Sequence, residues 1–134
     1  MKQKGIDSFV GQRIWVIGAS SGIGEACANA FIKAGAQVAL SSRRAERLNS
    51  LAQSGGAQQT LVLPLDVTYE DQLASAYQQI LGAWGGLDLL LFVSGVYTPL
   101  RADNFDFAVA QKTIDANLLG PMRAVGVVLP DMLQ

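Results

Sequence analysis

Three glycines, Gly18, Gly22 and Gly24, fall within seven residues of the stretch "RIWVIGASSGIGEACANAF", Arg13 to Phe31. An apolar run precedes them and a helix-like pattern follows. Glycine loses more conformational freedom on folding than any other residue, so this crowding requires a physical reason. The order strand, glycine-rich turn, helix supplies one. The first N–H groups of a helix lack intrahelical partners and carry partial positive charge. A diphosphate can accept hydrogen bonds from them where no side chain blocks its approach. In that arrangement Gly18 allows the sharp exit from the strand, Gly22 lets phosphate oxygens come close to the backbone, and Gly24 lets the helix pack closely on the sheet. Ile23 lies inside the same turn, and Ser20 and Ser21 add hydroxyls to it. Glycines that merely punctuate a turn are the competing explanation. The position of this triplet, in the first of several β–α units, favours a nucleotide site. The spacing is G-x-x-x-G-x-G, and the G-x-x-x-x-G-K-[ST] pattern of P-loop NTPases is absent.

The rest of the chain repeats the alternation. "RIWVI" (Arg13 to Ile17), "QVALS" (Gln37 to Ser41), "TLVLPL" (Thr60 to Leu65) and "LDLLLFV" (Leu87 to Val93) read as strands. From Gly22, the apolar positions Ile23, Ala26, Cys27, Ala30, Phe31 and Ala34 recur at helical spacing. Arg44 to Gln53 and Tyr69 to Trp84 read as further helices, and a final helix runs from about Phe105 to near the end. The strands are almost wholly apolar, as parallel strands covered by helices on both faces are. The expected fold is α/β, a Rossmann-type doubly wound parallel sheet with right-handed crossovers. Residues 1–134 read as a single, partial dinucleotide-binding domain, truncated after the fourth strand and the helix that follows it.

Composition narrows the function. The chain has 134 residues, half of them hydrophobic, and a net charge of −1 with scattered basic residues. Neither a nucleic-acid surface nor a polybasic membrane patch is indicated. Histidine is absent and Cys27 is the single cysteine, so imidazole bases, internal disulfides and cysteine-rich metal sites are excluded and no metal is expected. The stretch "MKQKGIDSFVGQ" has no signal-peptide core and no apolar run reaches membrane-spanning length. A soluble, cytoplasmic protein is expected.

The motifs resemble those of the short-chain dehydrogenase/reductase family. The family's first turn reads T-G-x-x-x-G-I-G, against "IGASSGIG" from Ile17 to Gly24. Its D-V after the third strand matches Asp66-Val67, and its D-x-x-x-N-N-A-G matches Asp88 to Gly95 at the aspartate and glycine, with Phe92, Val93 and Ser94 replacing N-N-A. "NLLG", Asn117 to Gly120, matches its N-x-x-G. The resemblance implies an NAD(P)-dependent oxidoreductase that transfers hydride between cofactor and a small carbonyl or alcohol substrate. It places Asp66 and Val67 against the adenine, and Ser94 and Gly95 at the cofactor; Asp66 reads equally well as a cap for the next helix.

The end of strand two faces the adenosine ribose in this architecture, where NAD sites carry an acidic residue. Here the chain reads "SSRR", Ser41 to Arg44. Ser42 stands in the acidic position, and Arg43 and Arg44 follow. A planar guanidinium suits a phosphate, so NADP(H) is expected over NAD(H). Solvated arginines at the start of a helix are the plainer alternative.

Pro121 lacks an N–H and its ring crowds the carbonyl of Asn117, so a bend is expected there if the segment is helical. The resemblance gives that carbonyl a use: it holds a water in a proton relay to a catalytic lysine. The family's hydride transfer also needs a serine after strand five and a Tyr-x-x-x-Lys pair. This sequence contains neither: Tyr69, Tyr77 and Tyr97 are followed four residues later by Leu73, Leu81 and Arg101. The expectation is an adenosine site without its catalytic groups, inactive alone. Strand four should form a sheet edge, and Val125, Val127, Val128, Leu129, Met132 and Leu133, which the family's C-terminal half or a partner subunit would cover, should leave apolar surface exposed and favour a homo-oligomer through the last helix. Competing readings are a dinucleotide-binding or interaction module without turnover, and a methyltransferase-like domain binding S-adenosylmethionine, against which "SSRR" argues.

Overall fold

The computed structural model describes residues 8–56 and 58–134. Four parallel strands, β1 (Arg13–Ile17), β2 (Gln37–Ser41), β3 (Thr60–Val62) and β4 (Leu89–Phe92), lie in the order β3-β2-β1-β4. The helices are α1 (Gly22–Lys33), α2 (Ala45–Ala52), α3 (Glu70–Trp84), α4 (Phe107–Ile114) and α5 (Gly120–Met132), with a π-helical segment, Asp115–Leu119, joining the last two. This is the doubly wound α/β sheet read from the sequence.

Period-2 alternation along β1 sorts its side chains into two layers. Ile14 and Val16 pack with Ala28, Ile32, Leu48 and Leu51 of α1 and α2. Trp15 and Ile17 pack with Leu73, Tyr77 and Ile80 of α3 and Ala124 and Val128 of α5. All four β1 residues are wholly buried, and removing each such large apolar side chain from water stabilises the fold by about 1.5–3 kcal/mol. The one polar atom of Trp15 is satisfied inside this core: its Nε1–H donates to Ser41 Oγ at 2.8 Å. Its ring lies nearly parallel to that of Tyr77, with centroids 6.1 Å apart.

The structure corrects several boundaries. β3 stops at Val62 rather than Leu65, because Pro64 interrupts the ladder. Pro64 is tolerated since β3 is an edge strand, and the Leu63 and Leu65 N–H groups on either side still donate to Leu40 O and Ser42 O. β4 is regular only from Leu89 to Phe92, although Asp88 N–H and Val93 N–H extend its bonding to Arg13 O and Ile17 O. Its side chains are only partly buried, so the expectation of strands covered on both faces fails at β4, which is the sheet edge as expected.

On α1 the buried line is Gly24, Ala28 and Ile32. Ile23, Ala26 and Ala30, read as part of the apolar side, are exposed. Apolar residues nearly surround this helix, so their spacing does not single out the face that needs the smallest side chains. The last helix begins at Phe107, where Asp106 Oδ1 caps it by accepting from Ala108 N–H. Val127 and Val128 belong to the core rather than to an exposed face.

Candidate functional site

The carboxyl ends of all four strands open onto one cleft of about 860 Å³. Because β1 lies between β2 and β4, the chain turns in opposite directions on its two sides, the switch point at which open α/β sheets bind ligands. Each strand contributes one turn to the wall: Ile17 and Gly18 after β1, Ser42 to Arg44 after β2, Leu65 to Thr68 after β3, and Val93 to Val96 after β4. Ser20 and Ser21 complete the first turn.

Gly18 and Gly24 pack as their spacing suggests. Gly18 has φ +100°, and a Cβ there would lie 2.6 Å from Ser94 N, so the exit from β1 passes directly against the turn after β4. A Cβ on Gly24 would collide with Gly18 O and approach Val93 Cγ2 to 2.8 Å. Only a bare Cα lets α1 start this close to the sheet. Gly22, at φ +56°, has nothing within 4 Å of its Cβ position. The space outside the helix tip is therefore open, and no protein contact demands a glycine there; its positive φ is the structural reason for one. Ile23 is 74% exposed beside this opening, and Gly22, Ile23 and Gly24 stand outside the cleft wall proper.

Past β2, the Ser42 hydroxyl accepts from Arg44 N–H at 3.1 Å and shapes the turn into α2. Arg43 lines the cleft. Arg44 reaches back across it: its Nη2 donates to Ser20 Oγ at 3.1 Å and Ser21 Oγ at 2.9 Å. Asp66 Oδ1 accepts from both the N–H and the hydroxyl of Thr68, at 3.0 and 2.8 Å. It thus organises the turn before α3, while the residue at the helix N-cap itself is Tyr69. Val67 lines the cleft but is buried, its side chain packed in the core.

Ser94 and Gly95 form the β4 side of the cleft. Asn117 holds the next residue in place: its Nδ2–H donates to Val96 O at 2.7 Å and its Oδ1 accepts from Val96 N–H at 2.8 Å. Its side chain is therefore engaged with the β4 turn, and the neighbouring Asp115 and Ala116, not Asn117, line the cleft. The bend expected at Pro121 takes the form of the π segment, in which Gly120 N–H donates to Asp115 O, five residues back. The extra residue in this turn accommodates a proline that has no N–H for Asn117. Arg123 fastens it, with Nη2 paired to Asp115 Oδ1 at 2.6 Å and Nη1 donating to Asp115 O at 3.4 Å.

Sequence reasoning missed Thr98, Val109, Lys112 and Thr113, which close the cleft from the loop after β4 and from α4. Lys112 follows the pattern of a helix surface lysine, and only the path of α4 past the strand ends brings it here. At the opposite end of the sheet Arg13 and Asp88 clamp β1 to β4. Arg13 Nη2 and Nε donate to the two carboxylate oxygens at 2.8 and 2.9 Å, and the Arg13 N–H donates at 2.8 Å. These bonds hold the Asp88 carboxyl below the usual carboxylate range.

The site can be set beside known proteins. The sequence profile of the family described as short chain dehydrogenase matches residues 12–134. The chain is 31% identical over 119 residues to an uncharacterized oxidoreductase of Staphylococcus aureus, covering 89% of this chain and 52% of that protein. It is 33% identical over 127 residues to dehydrogenase/reductase SDR family member 7 of Homo sapiens, covering 90% of this chain and 38% of the relative. A short-chain dehydrogenase/reductase from Brucella melitensis, described as a glucose/ribitol dehydrogenase, superposes with a TM-score of 0.87 at 27% identity, over 92% of this chain and 52% of that one. The chain thus spans about half the length of the first relatives it matches. With the doubly wound sheet, the glycine turn at its switch point and a profile match over nearly its whole length, the chain belongs to the short-chain dehydrogenase family.

Proposed function

We propose that this chain binds the adenosine diphosphate half of NADP(H) at the carboxyl end of its sheet, as the partial dinucleotide-binding domain of an oxidoreductase that interconverts a small carbonyl compound and its alcohol. One observation carries this reading: the open tip of α1 at Gly22, beside a β2 terminus that offers Ser42, Arg43 and Arg44 and no carboxylate. The fit to a dinucleotide rests on the cradle itself. Ser21, the N-cap residue, makes no capping bond to α1, and no side chain approaches the Gly22 position, so the first N–H groups of α1 can donate to a diphosphate.

The other residues follow from their places on the wall. Arg43 offers a planar fork of donors to a 2′-phosphate. Ser42 reaches the ribose without the repulsion a carboxylate would exert on that phosphate. Asp66 orders its turn through Oδ1, which leaves its other carboxylate oxygen as the acceptor for the adenine amino group in this reading, with Val67 N–H as donor to the ring. Ser94 and Gly95 give a close, small-residue passage from the diphosphate toward the nicotinamide. Asn117 supplies a backbone carbonyl to a proton relay, held in place by its side-chain pairing with Val96. The bound cofactor supplies the hydride. Transfer also requires an acid/base pair of the Tyr-x-x-x-Lys kind, which these 134 residues do not contain. These residues by themselves are expected to be inactive in turnover, and a non-catalytic dinucleotide-binding role is the second reading. The exposed apolar residues of α5 fit a homo-oligomeric partner surface, and the absence of a membrane-spanning helix among the described residues is compatible with a cytoplasmic setting.

The test is a fluorescence titration of NADPH and NADH against the wild type and Arg43→Ala. NADPH should bind the wild type more tightly than NADH, and Arg43→Ala should weaken NADPH by about ten-fold or more while leaving NADH within about two-fold, as expected for loss of a charge-assisted pair. Equal affinities in both proteins would remove Arg43 from the site.

A further inference from the structure

Ser21 stands at the N-cap of α1 with extended backbone, φ −166° and ψ 164°, yet its side chain makes no capping hydrogen bond. A serine in that position ordinarily turns its hydroxyl onto the second or third N–H of its helix and satisfies one of the unpaired donors there. Here the hydroxyl accepts from Arg44 Nη2 instead, at 2.9 Å. The same nitrogen donates to the buried Ser20 hydroxyl at 3.1 Å. Arg44 is itself the N-cap residue of α2, and its backbone N–H is held by Ser42 Oγ. One guanidinium thereby ties the turn after β2 to the turn after β1.

We propose that Arg44 is a positioning residue: it draws the Ser21 hydroxyl off the tip of α1 and so keeps that tip's N–H groups unoccupied for a diphosphate. This rests on the nucleotide reading of the site and deepens it, because it divides the labour of the two adjacent arginines. A residue that grips a 2′-phosphate affects only ligands that carry one. A residue that keeps the helix tip bare affects every dinucleotide alike. Arg43 therefore sets the choice between NADP(H) and NAD(H), and Arg44 sets affinity for both. There is a second consequence. Without Arg44, Ser21 is free to cap α1 and becomes a competitor of the ligand, and deleting its hydroxyl as well removes that competitor.

The experiment is a double-mutant cycle on the whole chain with Arg44→Ala, Ser21→Ala and the double variant, read by calorimetric titration with NADPH and with NADH and by thermal unfolding without ligand. Arg44→Ala should weaken NADPH and NADH equally, by roughly five-fold, the fold-change that corresponds to one serine cap. The double variant should bind within about two-fold of Ser21→Ala alone, which additive contacts would not give. In unfolding, Ser21→Ala should lower the midpoint only slightly while Arg44 is present, where it loses one exposed bond that Arg44 also makes to Ser20, and lower it more in the Arg44→Ala background, where the hydroxyl caps the helix. Loss of NADPH affinity alone in Arg44→Ala would make Arg44 a 2′-phosphate ligand and overturn the proposal. Additive binding losses, or the same midpoint shift from Ser21→Ala in both backgrounds, would overturn it as well. A wild type that binds neither dinucleotide would refute the nucleotide reading, and the unfolding cycle would still decide whether Arg44 holds Ser21 off α1.

Discussion

The centre of the sheet and its β4 edge are written in equally apolar residues and finish in opposite states. Ile14 to Ile17 of β1 are wholly buried between two helical layers. Leu89 to Phe92 of β4 are partly exposed, and α5 likewise presents Met122, Val125, Leu129 and Met132 to solvent. An apolar run states how much surface requires cover; where the strand sits in the sheet decides how much cover the chain itself provides. β1 has a strand on each side and helices above and below. β4 has β1 on one side and no strand on the other among the described residues. Its outer N–H and C=O groups face no strand among the described residues, and α5 leaves an apolar stripe exposed.

The largest effects should separate the two regions by stability. Trp15→Ala removes a wholly buried ring and its bond to Ser41, and should cost about 3–5 kcal/mol in denaturant unfolding. Leu89→Ala, at a strand residue 37% exposed, should cost less than about 1 kcal/mol. Similar losses at both sites would erase the contrast. Association comes next: Val125→Lys with Leu129→Lys should shift the chain toward monomer in light scattering while changing stability by less than about 1 kcal/mol. Oligomerisation unaffected by those charges would place the contact elsewhere.

A smaller effect should come from the clamp that joins the two regions. Asp88→Asn should cost about 1 kcal/mol, since the pair is bidentate but partly solvated. The sign of its pH dependence follows from the lowered Asp88 carboxyl. Its contribution is present above the ordinary carboxylate range and fades as pH falls through the depressed folded value. Acid unfolding of the variant should therefore be less steep below about pH 4. Tyr77 gives the smallest change near neutrality. Its hydroxyl is buried without a hydrogen-bond partner among the described residues, so Tyr77→Phe should shift stability by less than about 0.5 kcal/mol, in the stabilising direction. Burial first, and then the nearby Asp131 carboxylate, which no hydrogen bond of good geometry joins to the hydroxyl, push the phenol up to about 12. The folded state thus holds its proton where the unfolded state has released it, and wild-type stability should fall between about pH 10 and 12. The Phe variant should lack that alkaline loss.

What the sequence revealed, and what it concealed, follows the range of the interactions involved. β1, β2 and α3 were legible to within a residue or so, because each is a long uninterrupted pattern. The glycine turn was legible because its three constraints sit within a few residues of one another. The shortening of β3 was less so: Pro64 is visible in the sequence, but whether it is tolerated depends on β3 being an edge. The tie from Arg44 to Ser20 and Ser21 spans more than twenty residues and exists only because the fold brings two strand ends together. The pairing of Asn117 with Val96 and the arrival of Lys112 at the cleft have the same origin. The exposed side of α1 was obscured by composition, since alanine and isoleucine occur all around that helix.

The wide turn at Asp115–Leu119 behaves as an insertion absorbed in place. Ala116, Gly120, Ala124 and Val128 are all buried at a strict spacing of four. On an unbroken α-helix such a line drifts by about 40° with every step, because a full turn takes only 3.6 residues. The looser ring reverses that drift once and returns α5 to the flank of α3. Taking one residue out of the ring would tighten it to ordinary width and leave the helices on either side in step. The core would scarcely register the loss, and the damage would fall on the rim of the cleft, where Asn117 grips the turn after β4.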